Sequence, residues 1–398
     1  MTAPSLPVLR LKPKADAKRI RHGHPWAWAD DLVLDRRSKA VPAGALALLE
    51  DAERHPLGIG IATVDARIGL RLLDRDAGAV IDAGWLRTRI ERAAALRRAL
   101  HDAPYHRLIH AEGDFLPGLI VDRFGDVLVM QPNAIWLEER LEDLAAILLD
   151  VTGADTLVKN GTSRARALEN LPEEMVTLAG TAPDGPLPVP MNGAIYMADV
   201  MGGQKTGLFY DQRPNHAFAA SLAGGARVLD VFSHVGGFGL AALAAGAASA
   251  LAVDASEPAL ALALQGAEAM GCADRFATRP GDAFDTMDAL AAEGAQFDLV
   301  VADPPAFAPS KTALDKGLRA YERVARQAAQ LVVEGGTLVL CSCSHAADLG
   351  KFRAACLRGI GRAGRDPRLL HTGFAGPDHP VHPALSETGY LKVLAFRL

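Results

Sequence analysis

The carboxyl-terminal half of this 398-residue sequence predicts an α/β fold built on a parallel sheet. Apolar segments alternate there with stretches compatible with helices, and each segment is continuously hydrophobic. Strands that are buried on both faces, as in parallel sheets covered by helices, have this pattern. The strands are predicted at residues 228–231, 250–253, 297–301 and 337–340.

Chemically distinctive motifs lie just after three of these strands. They are a glycine-rich turn with Gly236, Gly237 and Gly239, the turn Asp303-Pro304-Pro305, and the pair Cys341 and Cys343. Ligands of open α/β sheets bind in the crevice outside the carboxyl ends of the strands. We therefore expect the three motifs to meet at one site.

Two smaller regions precede this sheet. Residues 8–73 hold short β-like segments separated by Pro, Gly and Asp, which predicts a β-rich domain over residues 1–80. Residues 81–185 predict a central α+β domain. Its helices are expected at 82–100 and about 135–150, and its strands at 119–122, 127–130 and 156–159. The Pro- and Gly-dense stretch 179–190 is typical of a boundary or an irregular connector, which leaves residues 186–398 for the catalytic domain.

Composition indicates a folded protein without a metal framework. Apolar residues make up 49% of the chain, which is normal for a globular protein. The four cysteines match no paired CxxC spacing. We interpret them as free thiols, and no metal site is predicted.

Two features bear on the compartment. Residues 1–7 contain no apolar core of signal-peptide length, so we expect the protein in the cytoplasm. The uncharged run 231–253 is long enough to imitate a membrane span. A strand, turn, helix and strand laid end to end explain its Ala and Gly content better, so no membrane association is predicted.

Charge is unevenly distributed. The whole chain carries a net charge of −5, yet residues 1–40 hold nine Lys and Arg against four Asp. A local basic stripe on an acidic body suits a module that contacts phosphates, although a solvated charged surface gives the same composition. The candidate RNA contacts are Lys12, Lys18, Arg19 and Arg21.

The glycine-rich turn and two carboxylates predict a cofactor pocket. Such a turn alone fits nucleotides, flavins and S-adenosylmethionine. Asp254 ends the second strand, where it could accept hydrogen bonds from a ribose diol, and Asp282 could accept from an adenine amino group. The sequence has neither GxGxxG nor GxxxxGK[ST], which favours an adenosine-type ligand without a pyrophosphate.

The Asp-Pro-Pro turn predicts a rigid acceptor for a base. The two prolines hold Asp303 in place, and its carboxylate could accept from the cytosine N4 amino group or, protonated, donate to N3. Phe307 offers a ring for stacking. The alternative is an ordinary turn that ends a buried strand.

Cys343 is the candidate nucleophile. Carbon 5 of a pyrimidine reacts poorly with a sulfonium methyl group unless a thiolate first adds at C6. Cys343 lies just past the strand predicted at residues 337–340, whereas Cys341 is expected closer to the core. A small buried cysteine is the alternative. His345 is a candidate for removing the C5 proton, although an ordinary loop histidine also fits.

Residues 202–213 precede the first strand of the sheet. Flexible glycines are followed there by Lys205, Asp211 and Arg213, so the segment could close over a cofactor. A plain hairpin is the alternative.

Three segments carry a resemblance that covers nearly the whole chain. They are Lys18-Arg19-Ile20-Arg21-His22-Gly23-His24-Pro25-Trp26, Glu112-Gly113-Asp114-Phe115-Leu116-Pro117-Gly118-Leu119-Ile120-Val121-Asp122-Arg123 and Lys205-Thr206-Gly207-Leu208-Phe209-Tyr210-Asp211-Gln212-Arg213. Two short closing segments, Asp378-His379-Pro380 and Gly389-Tyr390-Leu391-Lys392, also match the same family pattern. The chain thereby resembles the ribosomal RNA large subunit methyltransferase I family. The resemblance implies a Rossmann-like class I methyltransferase domain with a mainly parallel seven-stranded sheet. It also implies a preceding PUA domain that binds RNA and a central α+β domain.

The resemblance further implies a reaction and its residues. Members transfer a methyl group from S-adenosylmethionine to carbon 5 of a cytosine in 23S ribosomal RNA. Cys343 would be the nucleophile and Asp303 a second catalytic residue. The implied cofactor contacts are Asp211, Gln212, Arg213, Asp230, Phe232, Gly236, Asp254, Asp282, Ala283 and Asp303. The modified nucleotide and the oligomeric state, including a homodimer, stay open.

Two other functions fit parts of the same pattern. Methylation of a guanine nitrogen would use the same pocket and the Asp-Pro-Pro turn but would need no thiol. An RNA-binding scaffold without cofactor is disfavoured because Asp230, Asp254 and Asp282 are all present.

Overall fold

The structure is a computed structural model that describes residues 6–167, 169–203 and 206–398. The chain divides into two compact units, and the first also includes a short segment from near the carboxyl terminus. Unit 1 comprises Met1–Ala182 and Asp378–Thr388, and unit 2 comprises Pro183–Pro377 and Gly389–Leu398.

The first sheet of unit 1 confirms the β-rich start of the chain. Its order is β1-β3-β4-β5-β2, with β1 parallel to β3 and antiparallel pairing elsewhere. Asp16 caps the short helix α1 by accepting a hydrogen bond from the Arg19 amide. The elements are β1 Val8–Arg10, α1 Ala17–Arg21, β2 Trp26–Trp28, β3 Leu46–Glu50, β4 Pro56–Ala62 and β5 Ile68–Asp74.

A second sheet of unit 1 is flanked by helices, as predicted for the central region. Its order is β10-β9-β8-β7-β6, and only the β8–β9 pair is parallel among the described strands. Asp82 caps α2 through the Trp85 amide. The elements are α2 Ala83–Leu100, β6 Tyr105–His110, β7 Leu119–Phe124, β8 Val127–Pro132, α3 Ile135–Glu138, α4 Leu141–Thr152, β9 Thr156–Asn160, α5 Arg164–Ala167 and β10 Met175–Ala179.

The prediction of one helix over residues 135–150 is wrong in detail. The segment forms α3 and α4, and the break falls at Arg140, whose φ of −125° is not helical. Trp136 is fully buried and donates to the Pro117 carbonyl, 3.0 Å away. The Trp136 carbonyl, which would accept from the Arg140 amide in a continuous helix, accepts from the Arg140 guanidinium here.

Unit 2 begins with a two-stranded ribbon, β11 Leu187–Met191 and β12 Ala194–Ala198. The expected irregular connector is therefore partly a strand. Pro188 and Pro190 are exposed and are tolerated because β11 has a single partner, so alternate amides face away from the ladder. The hairpin alternative for the segment before the sheet is also wrong over residues 206–213, which form a turn that leads into a helix. Lys205 lies outside the described residues.

The large sheet of unit 2 has the predicted mainly parallel, seven-stranded architecture. Its order is β15-β14-β13-β16-β17-β19-β18, and β19 runs antiparallel to both of its neighbours. Chain order reverses between β13 and β16, which creates a crevice at their carboxyl ends. The elements are α6 Arg213–Ser221, β13 Arg227–Val231, α7 Gly237–Ala244, β14 Ser249–Asp254, α8 Glu257–Ala269, β15 Phe276–Pro280, α9 Ala283–Ala292, β16 Phe297–Ala302, α10 Leu314–Gln330, β17 Val332–Ser342, α11 Leu349–Arg362, β18 Arg368–Gly373 and β19 Lys392–Arg397.

Burial explains the unbroken hydrophobic strands. Leu229, Val231, Val300 and Leu338 are inaccessible to solvent because helices pack on both faces of the sheet. No helix in the described ranges is both long and apolar enough to cross a membrane.

Candidate active site

A cavity of about 550 Å³ opens at the carboxyl ends of β13, β14, β16 and β17. It lies wholly within unit 2, where the order of the sheet reverses. Asp230, Asp254, Asp303 and Cys343 all line it. The three sequence motifs therefore meet at one place, as their positions after neighbouring strands predicted.

The glycine-rich turn after β13 has an unusual backbone. Phe232 and His234 have left-handed φ angles of 61° and 49°, and Gly236 has 78°. Non-glycine residues in this region store strain that the surrounding fold must support, and such residues cluster at functional sites. Phe232 and His234 line the cavity, whereas Gly236 is the N-cap of α7 and is not among the lining residues. Its neighbour Gly237 does line the cavity.

Asp230 is the most deeply buried carboxylate of the site. Its Oδ2 accepts a hydrogen bond from the Gly239 amide at 2.8 Å. Burial raises its pKa to about 7, and the negative charges of Asp303 and Asp254 act in the same direction. The side chain therefore keeps its proton to a higher pH than an exposed aspartate does.

The carboxylates that follow β14 and β15 also reach the cavity. Asp254 accepts from the amides of His234 and Ser256, one at each oxygen and both at 2.8 Å. Asp282 caps α9 through Oδ1, and Oδ2 takes no part in the cap. Ala283 lies beside it on the wall. Both aspartates thus combine a structural hydrogen bond with a position on the ligand cavity.

Asp303 is held by the segment that precedes α6. Gln212 donates from Nε2 to Asp303 Oδ2 at 2.8 Å, so the amide orients the carboxylate. The adjacent Asp211 accepts from the Tyr390 hydroxyl at 2.5 Å. Arg213 does not line the cavity and lies 5.5 Å from the ring of Tyr210.

The stacking role predicted for Phe307 is wrong for this cavity. Its ring packs on Tyr321 with centroids 5.1 Å apart and joins the core beneath the sheet edge. The Asp-Pro-Pro turn instead presents Asp303, Pro304 and Pro305 to the cavity. The apolar ring gains more from burial against Tyr321 than from exposure to solvent.

The two cysteines after β17 have different environments. Cys343 is partly exposed and lines the cavity. Cys341 is 1% exposed, and burial together with the charge of Asp303 raises the pKa of its thiol well above the ordinary value. Cys343 is therefore the accessible thiol of the pair, as expected.

Further residues line the cavity that the sequence patterns did not single out. They are His216, Ser233, Tyr390 and Leu391, among others. Burial lowers the pKa of His216 to about 3, which keeps its ring neutral. A Cβ atom at Gly237 would lie 2.7 Å from His216 Nε2, so this position requires glycine. The proximity of His216 to Asp211 in sequence was the available signal for His216. Tyr390 lies in a closing segment that matches the family pattern, but it is 179 residues from Asp211 and the pattern assigned it no role.

Several buried polar atoms of the cavity wall have no hydrogen-bond partner within the part of the chain that the structure describes. They are Asp211 Oδ1, His216 Nδ1, Asp230 Oδ1 and Ser233 Oγ. Unsatisfied buried polar atoms are costly, and in native proteins each requires a reason. Three of the four are oxygens, two of them carboxylate, which suits a ligand that brings amino, hydroxyl or cationic groups.

The basic residues predicted to contact RNA belong to unit 1. Lys12 donates to the Asp30 carbonyl at 2.7 Å, and Arg19 pairs with Asp31 at 3.4 Å. Arg21 forms an ion pair with Asp51. Lys18 is exposed on α1.

Comparisons with known proteins agree with this architecture. A family of S-adenosylmethionine-dependent methyltransferases matches residues 107–364, and a PUA-like domain matches residues 9–75. A ribosomal RNA large subunit methyltransferase of Deinococcus radiodurans is 34% identical, covering 100% of both chains. Ribosomal RNA large subunit methyltransferase I of Shewanella amazonensis is 33% identical, covering 98% of this chain and 99% of its own.

Solved structures share the fold. A structure from Streptococcus mutans described as a SAM-dependent methyltransferase superposes with a TM-score of 0.82, covering 99% of this chain and 100% of its own. A methyltransferase complexed with S-adenosylhomocysteine gives a TM-score of 0.84 with the same coverage. Both are 19% identical to this chain, so they bear on the fold alone.

The sheet order, the acidic strand ends and the family match define a class I S-adenosylmethionine-dependent methyltransferase. The cofactor is S-adenosylmethionine, whose ammonium, ribose hydroxyls and adenine amino group suit the unpartnered oxygens of the cavity. Within this class, the chain belongs to the ribosomal RNA large subunit methyltransferase I family. The predicted family and cofactor are thereby confirmed.

Proposed function

We propose that this protein methylates carbon 5 of a cytosine in 23S ribosomal RNA through a covalent adduct with Cys343. The observation that carries the proposal is the position of Cys343 on the same cavity wall as Asp254 and Asp303. A nucleophile must lie beside the methyl donor and the base at the same time. A cysteine sealed in the core, as Cys341 is, could not act in this way.

In the proposed reaction, Cys343 and Asp303 have different roles. Bound S-adenosylmethionine supplies an electrophilic methyl group on sulfur. Cys343 adds as a thiolate to C6 of cytosine, and the C5–C6 π electrons then make C5 nucleophilic. Asp303, oriented by Gln212, would hold the N4 and N3 edge of the base. Once C5 carries the methyl group, a base removes the C5 proton, the C5–C6 double bond forms again, and the C6–S bond breaks to return the thiolate.

The cofactor contacts form part of the same proposal. Asp254 would accept from the ribose hydroxyls and Asp282, beside Ala283, from the adenine amino group. The unpartnered oxygens of Asp230 and Asp211 would receive the remaining polar groups. Phe232, Gly236, Gln212 and Arg213 would shape this wall, Gly236 as the N-cap of α7 and Arg213 as the first residue of α6.

Ribosomal RNA is the proposed partner. Relatives named as ribosomal RNA large subunit methyltransferases match almost the full chain, and a PUA-like domain matches residues 9–75. Within the proposed domain of residues 1–80, Lys12, Lys18, Arg19 and Arg21 would contact phosphates. The domain boundaries at residues 80 and 185 belong to the same proposal.

Covalent trapping tests the proposal directly. A fluorine at C5 cannot leave as a proton does, so 23S RNA transcribed with 5-fluorocytidine should stay attached to the enzyme after one methyl transfer. We expect a denaturation-stable complex with the unaltered protein and S-adenosylmethionine. Cys343→Ala should give no complex and should lower methylation at least 1,000-fold, in the range for loss of a covalent nucleophile.

A matched cysteine variant provides the control. Cys341→Ala removes the buried thiol two positions away and should still form the complex, although it loses some stability because of the small cavity. Methylation that survives in Cys343→Ala would contradict the adduct and favour transfer to a guanine nitrogen. Sequencing the product RNA for 5-methylcytosine separates these two reactions.

A further inference from the structure

A buried lysine lies behind the loop that carries Cys343. Lys392 is the first residue of β19 and is only 5% exposed. Its ammonium donates to the carbonyl oxygens of Ser344 at 2.7 Å and Ala347 at 2.9 Å. Lysine is almost never buried in this way unless its charge is compensated, so the position calls for an explanation.

The same loop is fixed from two other directions. Ser344 Oγ accepts from the Ala308 amide at 2.9 Å and shares a hydrogen bond of 2.7 Å with the Tyr321 hydroxyl of α10. Ser342 Oγ donates to the same hydroxyl at 2.9 Å. Cys343 therefore lies between two serines that are tied to α10, while Lys392 holds the loop from β19. A thiol on such a loop has a defined position relative to the cavity.

The charges around the loop have opposite effects on a thiolate. Lys392 interacts electrostatically with Cys343 and with Asp348, the residue that caps α11. Burial lowers the pKa of Lys392, and these two negative groups raise it. Asp303, on the same cavity wall, opposes a second negative charge. Among the described residues, the other titratable groups near the loop are Cys341, Tyr321, Asp230, His345, Tyr390 and Asp211.

We propose that Lys392 is a positioning residue that holds the Cys343 loop and supplies the buried positive charge that stabilises the Cys343 thiolate. The proposal rests on the role of Cys343 given under the proposed function. A cation near a thiol in a protected site favours ionisation of the thiol, and here it would offset the opposing charge of Asp303. Lys392 itself is not among the residues that line the cavity, so its proposed action is indirect.

Thiol titration tests this role without methyl transfer. The full chain, with neither cofactor nor RNA, is alkylated with iodoacetamide between pH 5.5 and 10, and the peptide with Cys343 is quantified by mass spectrometry. Only Cys343 among the four cysteines is accessible, because the others are at most 2% exposed. Lys392→Gln keeps amide donors for the carbonyls but removes the charge, and Lys392→Met removes both.

We expect both neutral variants to move the alkylation midpoint of Cys343 upward by about one pH unit or more. Lys392→Arg should keep the midpoint near that of the unaltered protein. The matched control is Lys351→Met, which removes an equal charge from α11 at a side chain that is 51% exposed, and it should shift the midpoint little because water screens it.

An unchanged midpoint in a folded Lys392→Gln protein would overturn the inference. If Lys392→Met does not fold, Lys392→Gln and Lys392→Arg still separate charge from packing, since only the neutral variant should shift the midpoint. The outcome is independent of the proposed reaction. Methylation that survives in Cys343→Ala would remove the nucleophile role, whereas the titration would still report whether Lys392 stabilises the thiolate.

Discussion

The cavity of unit 2 and the basic segment of unit 1, which lies within residues 1–40, differ in whether their polar groups already have hydrogen-bond partners. Among the residues that the structure describes, buried atoms of the cavity wall such as Asp230 Oδ1 and Ser233 Oγ have no hydrogen-bond partner. In the basic segment, Lys12, Arg19 and Arg21 already bond to a carbonyl or a carboxylate of the same unit. The cavity is thus organised in advance for a small ligand, whereas the basic residues must exchange partners to bind phosphates.

The largest effect is expected for a substitution in the cavity, whose polar groups are already in place for a ligand. Asp254→Ala removes a carboxylate that would accept two ribose hydroxyls, and hydrogen bonds to a charged group contribute ~1.5–3 kcal/mol each. We expect S-adenosylmethionine to bind at least about 100-fold more weakly in titration calorimetry. Asp274→Ala, an exposed acid before β15, should bind as the unaltered protein does. Equal affinity in the two variants would show that the acidic strand end does not hold the cofactor.

A second prediction concerns the buried carboxyl group of Asp230, which should make the stability of the protein depend on pH. The ordinary pKa of an aspartate is 3.8, and burial raises that of folded Asp230 to about 7. As the pH rises from about 4, Asp230 loses its proton in the unfolded state before it does so in the folded state. The free energy of unfolding therefore decreases progressively until about pH 7, and above that pH the decrease stays constant. The expected decrease in the free energy of unfolding is ~2–4 kcal/mol.

Urea unfolding of the cofactor-free protein at pH 5 and pH 8 measures this effect. Asp230→Asn should lose less stability between the two pH values than the unaltered protein does. Asp285→Asn, in the first turn of α9, serves as the control because it makes the same chemical change at an exposed carboxyl group. Parallel pH dependence in all three proteins would contradict the assignment.

The smallest effect is expected in the basic segment. Lys18→Ala and Arg19→Ala should each weaken binding of 23S RNA several-fold and reduce the salt slope of log K by about one. Arg19 should lose less than Lys18, because its pairing with Asp31 must be broken before it contacts a phosphate. Lys39→Ala, an exposed lysine of the same segment, is the matched control. Filter binding between 50 mM and 200 mM salt measures the slopes, and unchanged slopes would remove this segment from the RNA interface.

Local sequence patterns predicted most of the fold but missed features that depend on packing. The strands predicted around Leu229 and Val300 were correct, because a strand that is buried on both faces is hydrophobic along its whole length. The break between α3 and α4 was missed because the buried Trp136 and its bond to Pro117 fix it from outside the helix. The prolines of β11 suggested a connector, since a sequence does not show whether a strand has one neighbour or two.

The sequence alone determined that three motifs follow parallel strands, and hence that Asp254, Asp303 and Cys343 share one edge of a sheet. Strand direction and sheet order suffice for that conclusion. Only the tertiary structure decided which atoms face the cavity: Phe307 turns to the core, and Tyr390 arrives from the carboxyl terminus to bond Asp211. Such contacts join residues far apart in the chain, and their geometry follows from packing density, which no local pattern encodes.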